Sequence, residues 1–209
     1  MPLLTALAHT IALLLLPLTS PAQEKIYIES LSSPGLFWTV DQDRDSAVYL
    51  TAIEAIHDPT TATFLKKPNI SRLLAPRPMQ LILSLLPPNT IISFESASRP
   101  NHFLRHFSGR LRLDPYAEND LYAGDASFKI RPALDPSANA FSFESVNLPR
   151  SFLKQDKDNG IILAPYDPFD PEIDRTLYSF LIHTSLPSSP TTAPQTHDIP
   201  PVNNTPPAQ

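Results

Sequence analysis

Three glutamates occupy one position of a pattern, E-S-x-x-x-P-x-x-F, that occurs three times in the chain. They are Glu29, Glu95 and Glu144. Two carboxylates facing each other across a cleft are the machinery of glycoside hydrolysis, one as acid and the other as base or nucleophile. A residue that recurs at the same place in every repeat is better explained by the fold, so we predict a structural role for each glutamate, such as accepting a turn hydrogen bond. No other pair of acids is nominated for catalysis, and the chain is not expected to be an enzyme.

Two further groups have spacings that suggest metal binding. His102 and His106 are four residues apart, which suits a metal on a helix, but their segment alternates as a loop entering a strand does. Asp41, Asp43 and Asp45 resemble a calcium loop that lacks its glycine and its final glutamate, and we predict a solvated turn there. No metal ion and no cofactor are predicted. The absence of cysteine excludes disulfides and thiolate chemistry.

Composition limits the fold and the partners. The 209 residues suffice for one domain, and 25 prolines against 4 glycines argue against long helices and for short strands. The net charge is -5 and no lysine or arginine cluster forms a basic stripe, so nucleic acid is not expected as a partner.

Both ends of the chain differ from the middle. Residues 1–22 have the apolar stretch and small-residue end of a signal peptide cleaved after Ala22, which predicts a secreted, extracellular protein with no membrane attachment after cleavage. Residues 186–209 are rich in proline, serine and threonine and are expected to be a disordered tail. Asn69 and Asn203 lie in sequons, and whether they or the tail carry glycans is left open.

A second phrase follows each copy of the glutamate pattern and completes an internal repeat. It occurs as TATFLKKP from residue 61, DASFKIRP from residue 125 and LYSFLIHT from residue 177. Alternation of apolar and polar residues predicts four short strands per unit, and three such units predict an all-β, pseudo-threefold β-trefoil over residues 24–185. The units are about 24–90, 91–140 and 141–185, and the first contains a proline-rich insertion at 66–90 that is expected to pack on the barrel. A β-sandwich is the alternative to the β-trefoil. Trp38 is expected to pack in the core.

Three segments resemble a known family: SFESASRPNHFLRH at 93–106, DASFKIRP at 125–132 and SFESVNLPR at 142–150. They are similar to the signature SFES.N.PG.YLRH followed by DASF, which is typical of the arabinose-binding domain of α-L-arabinofuranosidase B enzymes, carbohydrate-binding module family 42. The resemblance implies a β-trefoil with up to three pockets for L-arabinofuranose side chains of arabinoxylan or arabinan. Each pocket would depend on the histidine that ends the first phrase and the aspartate that begins the second.

The resemblance places one such pocket in the middle unit, at His106 and Asp125 with Phe107 beside them. A carboxylate can accept from two vicinal hydroxyls, an imidazole can donate or accept, and an aromatic ring can cover the apolar face of a furanose. The other units have different residues at the two positions, namely Val40 and Thr61 in the first unit, and Gln155 and Leu177 in the third.

The sequence therefore predicts a secreted, monomeric, stand-alone arabinofuranose-binding domain. Its link to α-L-arabinofuranosidase activity and L-arabinose metabolism is by family only. The alternative is a β-trefoil that has lost sugar binding and contacts proteins through its loops and residues 73–88. A small hydrolase with an unrecognised site is the third hypothesis, and release of arabinose would be needed to support it.

Overall fold

The computed structural model describes residues 24–68, 70, 91–136 and 139–187. The expected signal peptide, the sequons at Asn69 and Asn203, and nearly all of the proline-rich insertion and the tail lie outside these residues. The described residues form twelve strands: β1 Lys25–Ser30, β2 Leu36–Asp41, β3 Ala47–Ala52, β4 Phe64–Pro68, β5 Ile91–Ser96, β6 His102–Phe107, β7 Arg110–Pro115, β8 Phe128–Pro132, β9 Phe141–Ser145, β10 Ser151–Gln155, β11 Ile161–Pro165 and β12 Phe180–His183. One short α-helix, α1, spans Asp120–Asp125, and 3-10 turns lie at Ile53–Ala55, Pro59–Ala62 and Arg175–Tyr178.

The longest ladders among these strands are formed by five antiparallel pairs. Three are the hairpins β2–β3, β6–β7 and β10–β11, and the other two are β4–β5 and β8–β9. The β6–β7 hairpin turns through Ser108 and Gly109, whose φ angles of 51° and 78° are those of a tight type I′ connection. Glycine suits the second position because it has no Cβ to clash in the left-handed region.

All twelve strands belong to one hydrogen-bonded antiparallel sheet. A circuit of ten strands closes on itself in the order β1, β2, β3, β7, β11, β10, β9, β8, β5 and β4, and β6 and β12 are two extra strands paired to it. The all-β class expected from the sequence is therefore found, and helix is nearly absent from the described residues.

The prediction of a β-trefoil of three four-stranded units is wrong, because the fold is this closed antiparallel barrel. Strand pairing does not stop at the repeat boundaries: β4 pairs with β5, β8 with β9, and β12 with β1. The hairpins are also joined, through β3–β7 and β7–β11. Repetition in the sequence marks the strands correctly but cannot show which strands share hydrogen bonds.

The core lies inside the barrel and is built from one face of each strand. Trp38 is fully buried and meets the rings of Phe94, Phe143 and Phe180 edge to face, with centroid distances of 6.0, 5.7 and 5.0 Å. Such aromatic pairs are favourable beyond the apolar area that they bury. The prediction that Trp38 packs in the core is confirmed.

Each of the three repeated glutamates accepts a hydrogen bond from the turn that follows its own strand. In each case Oε1 accepts the backbone N–H of the residue six positions later, and that residue has a positive φ. The donors are Gly35, Asn101 and Arg150, at 2.6, 2.7 and 3.1 Å. The other carboxylate oxygen meets a nitrogen-bearing side chain from a neighbouring strand: His183 for Glu29, Lys67 for Glu95 and Arg131 for Glu144. The prediction of a structural turn hydrogen bond is confirmed.

Candidate functional site

His106 and Asp125 come together where strand β6 ends beside the last residue of α1. Their Nε2 and Oδ1 atoms are 3.5 Å apart, and each residue is only 6% exposed. The helix that presents Asp125, α1, is capped by Asn119, whose side-chain oxygen accepts the N–H of Tyr122 at 2.8 Å. The sequence-predicted pair is thus adjacent in space.

Asn147, in the turn between β9 and β10, joins the pair and was not predicted as a site residue. Its Nδ2 donates to Asp125 Oδ1 at 2.6 Å, and its Oδ1 lies 2.9 Å from His106 Nε2. The Ser145 hydroxyl donates to the Oδ1 atom of Asn147 at 2.8 Å. The site is therefore shared between the second and third repeats. The signal was present in the sequence, as the asparagine of the SFES.N phrase.

The partners of His106 determine which ring nitrogen carries the proton. A carboxylate only accepts, so the amide nitrogen of Asn147 must face Asp125 and its oxygen must face His106. In the neutral imidazole, Nε2 then carries the hydrogen and Nδ1 is an acceptor. Nδ1 has no partner among the described residues. His106 as a whole is 6% exposed, and its Nδ1 is not fully enclosed.

Arg105 balances the negative charge of the site. Its Nη1 lies 3.3 Å from Asp125 Oδ2, and its Nε donates to Asp114 Oδ2 at 2.6 Å. The guanidinium carbon is 5.3 Å from the ring centre of Tyr122, whose hydroxyl donates to the Asp114 carbonyl at 2.9 Å. Burial, together with the negative charge of Asp114, raises the pKa of the Tyr122 phenol above its ordinary value. The contacts with Asp114 and with the Tyr122 ring hold Arg105 in one orientation beside Asp125.

Gly124 permits the close approach of Asn147 to the helix. A Cβ added at this glycine would lie 3.0 Å from Asn147 Cβ and 3.1 Å from its Nδ2, which is tighter than ordinary van der Waals contact. The glycine before the aspartate therefore has a packing role in the site. It allows the amide to reach Asp125.

Phe107 does not join His106 on the same side of strand β6, because successive side chains of a strand alternate between its two faces. Its ring is 47% exposed and lies under the guanidinium groups of Arg105 and Arg112, at 4.5 and 5.6 Å from the ring centre. Phe107 is thus connected to Asp125 only through Arg105, and it lines a different cavity.

The equivalent positions in the other units have other roles. Gln155 is 5% exposed, and its Oε1 accepts hydrogen bonds from Ser30 at 2.6 Å and Ser32 at 2.5 Å. Its amide thus fills the third-unit position with internal hydrogen bonds. Val40 packs in the core, and the Thr61 hydroxyl donates to the Asp58 carbonyl. Of the three units, the middle one has an ionisable pair at these positions.

The histidines and aspartates considered for metal binding do not converge. His102 and His106 lie on strand β6, and the Asp41–Asp43 pair forms an exposed turn in which Asp41 Oδ1 accepts the Asp43 N–H at 3.0 Å. Across the described ranges, no group of three His, Cys, Asp or Glu residues could hold a metal ion. None of the helices described is long and apolar enough to cross a membrane.

Fold and site together define an all-β barrel domain with a largely buried polar cluster built from hydrogen-bonding side chains. Residues 82–181 match the family model of the Alpha-L-arabinofuranosidase B (ABFB) domain. The match contains both His106 and Asp125, as well as Asn147. A search of curated proteins found no match.

Solved structures show the same fold. A GH54 α-L-arabinofuranosidase soaked with a cyclic sulfate inhibitor is 17% identical, with a TM-score of 0.57, over 77% of this chain and 31% of its own. An arabinofuranosidase complexed with arabinofuranosyl-alpha-1,2-xylobiose is 18% identical, also with a TM-score of 0.57, over 77% of this chain and 30% of its own. A Polyporus squamosus lectin is 8% identical, with a TM-score of 0.53, over 77% of this chain and 48% of its own. This chain therefore spans about a third of the length of the arabinofuranosidases that it resembles.

Proposed function

We propose that this chain is a secreted, non-catalytic carbohydrate-binding protein that holds L-arabinofuranose side chains of arabinoxylan or arabinan at His106, Asp125 and Asn147. The ABFB family match supports the sugar class, and the site supplies the groups. The match is to the ABFB domain, and this chain spans about a third of the length of the related arabinofuranosidases, so the proposal is for binding and not hydrolysis.

The observation that carries the proposal is the free acceptor capacity of an otherwise fixed cluster. His106 Nδ1 has no partner among the described residues, and the Asp125 carboxylate uses three contacts of about four that it can accept. Acceptors that remain within one fixed cluster suit a ligand with several hydroxyls, since each hydroxyl can donate one hydrogen bond. Asn147 and Arg105 fix both acceptors before the ligand arrives, so little ordering entropy is lost on binding.

Binding at one such site is expected to be weak. Each hydrogen bond contributes about 1 kcal/mol net, so a few of them give a binding free energy of about 4 kcal/mol. We therefore expect a dissociation constant of about 1 mM. A family member with several working sites could gain avidity, whereas here Gln155 and Val40 replace the histidine elsewhere.

The proposal is tested by NMR titration of the protein with arabinofuranosyl-substituted xylo-oligosaccharides. The informative variants are Asp125→Asn and His106→Gln, the second of which copies the residue that the third unit accommodates at the same position. Asp158→Asn, on the exposed β10–β11 turn, is the control for loss of one charge. We expect saturable shifts around His106 that persist in Asp158→Asn and weaken at least tenfold in the other two.

A second candidate is a barrel that has lost sugar binding and contacts a protein. The internal closure of the third-unit position by Gln155 favours it. Absence of shifts at about 20 to 50 mM sugar, roughly twenty times the expected dissociation constant or more, with the folded spectrum intact, would reject arabinofuranose binding and favour this candidate. Release of arabinose from a chromogenic arabinofuranoside would instead indicate a hydrolase.

A further inference from the structure

A second cavity, away from His106 and Asp125, lies where the first and second hairpins meet. It has a volume of about 360 Å³. Its lining comes from the β2–β3 turn, strand β3, the end of strand β6, the β6–β7 turn and strand β7: Arg44, Asp45, Ala47, Tyr49, Phe107, Ser108, Arg110 and Arg112. The hairpins are held together at its base, since Ala47 pairs with Arg112 and the Leu113 N–H donates to the Ser46 carbonyl.

The charge of this cavity is opposite to that of the chain. Three arginines line it against a single aspartate, in a protein with a net charge of -5. Arg110 makes no side-chain hydrogen bond or ion pair with any described residue. Arg44 is largely exposed and has one loose contact, 3.4 Å from Asp41 Oδ2. Two guanidinium groups therefore remain able to bind an anion.

Aromatic rings hold the arginine side chains in place. The Arg44 guanidinium carbon lies 4.8 Å from the Tyr49 ring centre, and that of Arg112 lies 5.6 Å from the Phe107 ring centre. A guanidinium stacked on a ring keeps its N–H groups directed sideways, where they can form paired hydrogen bonds to a planar oxyanion. This arrangement suits a carboxylate.

Asp45 shows that a carboxylate fits at the cavity. Its Oδ2 lies 2.7 Å from Arg112 Nη1, yet its side chain is 81% exposed, and so exposed an ion pair adds little stability. The residue has a φ of 57°, in the left-handed region that few side chains adopt without a local reason. The Asp45 carboxylate thus occupies part of the place that a ligand carboxylate would take, and competes with it.

We propose that this cavity binds the carboxylate of an acidic sugar, a uronic acid unit of a polysaccharide. The proposal extends the proposed function to a second site on the same domain, and the sugar part of it rests on that function. The arginines would hold the carboxylate, while Ser108 at the rim offers a hydroxyl to the sugar ring. Arabinofuranose and uronic acid would then be read at separate places on one chain.

The test is NMR titration with trigalacturonic acid at low salt, with its methyl ester as the uncharged control and inorganic phosphate as the anion that is not a sugar. The acid is expected to shift the amides of Tyr49 and Ser108 and to leave those of His106 and Asp125 unmoved. Arg110→Gln is expected to weaken binding about fivefold. Asp45→Asn, which tolerates the same backbone conformation, is expected to strengthen it about threefold by removing a competing charge.

The control variant is Arg99→Gln, in the turn at the opposite end of strand β6, and it should bind as the wild type does. Equal binding of the acid and its methyl ester, weaker binding by Asp45→Asn, or equal affinity for phosphate would overturn the proposal, as would no binding. Since the probe contains no arabinose and the reporting amides differ, this result is independent of the outcome at His106.

Discussion

Replacing Glu144 by glutamine should destabilise the barrel in a pH-dependent manner. Glu144 is 7% exposed, accepts the Arg150 N–H at Oε1, and accepts Arg131 Nε and Nη2 at Oε2, at 2.8 and 2.7 Å. Burial acts to raise the pKa of Glu144. The hydrogen bonds from Arg150 and Arg131 and the positive charges of Lys129 and Arg131 outweigh burial, and the pKa of this carboxyl lies below its usual range.

The size of the effect follows from these contacts. Glutamine can still accept the Arg150 N–H, but its NH₂ group would then face the two N–H donors of Arg131. Two charge-assisted hydrogen bonds would be lost, each worth about 1.5 to 3 kcal/mol when buried. Arg131 is 46% exposed, so water compensates part of the loss, and we expect about 1 to 3 kcal/mol at pH 7.

The pH dependence has a defined sign. Because the folded pKa of Glu144 is lowered, its contribution to stability is complete above the unfolded value near 4.3 and is lost as the pH falls through the lower folded value. The difference between wild type and Glu144→Gln should therefore shrink between pH 5 and pH 2.5. Urea unfolding monitored by the fluorescence of Trp38, the one tryptophan in the chain, measures it. An equal difference at both ends of that pH range would refute the assigned charge interaction.

Three further outcomes are expected. Asn147→Ser copies the residue that the other two repeats have at this position; it should leave Asp125 and His106 partly unpaired, reduce arabinofuranoside binding at least tenfold by NMR titration, and cost about 1 to 3 kcal/mol in urea unfolding. Gly124→Ala should weaken the same binding severalfold by displacing Asn147, while its unfolding free energy changes by about 1 kcal/mol or less, since alanine favours the helix. Trp38→Phe removes an indole N–H that has no partner among the described residues, so it should cost about 1.5 kcal/mol or less, against more than about 3 for Trp38→Ala.

The repeated residues could be predicted well because the same physical demand occurs three times. A glutamate that returns at one strand position indicates a shared backbone need, and Glu29, Glu95 and Glu144 all meet it with the same hydrogen bond. Burial of Trp38 was predicted in the same way, from the apolar type of Leu104 and Leu153 at matching positions, and both leucines are also fully buried.

Interactions between units were harder to predict. Asn147 serves His106 and Asp125 from the next repeat, so matching residues within one unit could not reveal it. Phe107 was placed beside His106 from their adjacency in sequence, although alternation along a strand puts neighbours on opposite faces. The barrel closure depends on hydrogen bonds between units, which the pattern of a single unit does not contain.

The pairing of β1 with β12 determines where the chain enters and leaves the barrel. Tyr27 lies opposite His183, so the first and last strands run side by side, and the backbone arrives and departs at neighbouring places. A domain built in this way can be spliced into a loop of a host protein, or have its ends joined and be reopened in a hairpin turn, with little distortion of the barrel. For protein engineering, the arrangement makes the barrel a transferable module whose attachment point is a single location on its surface.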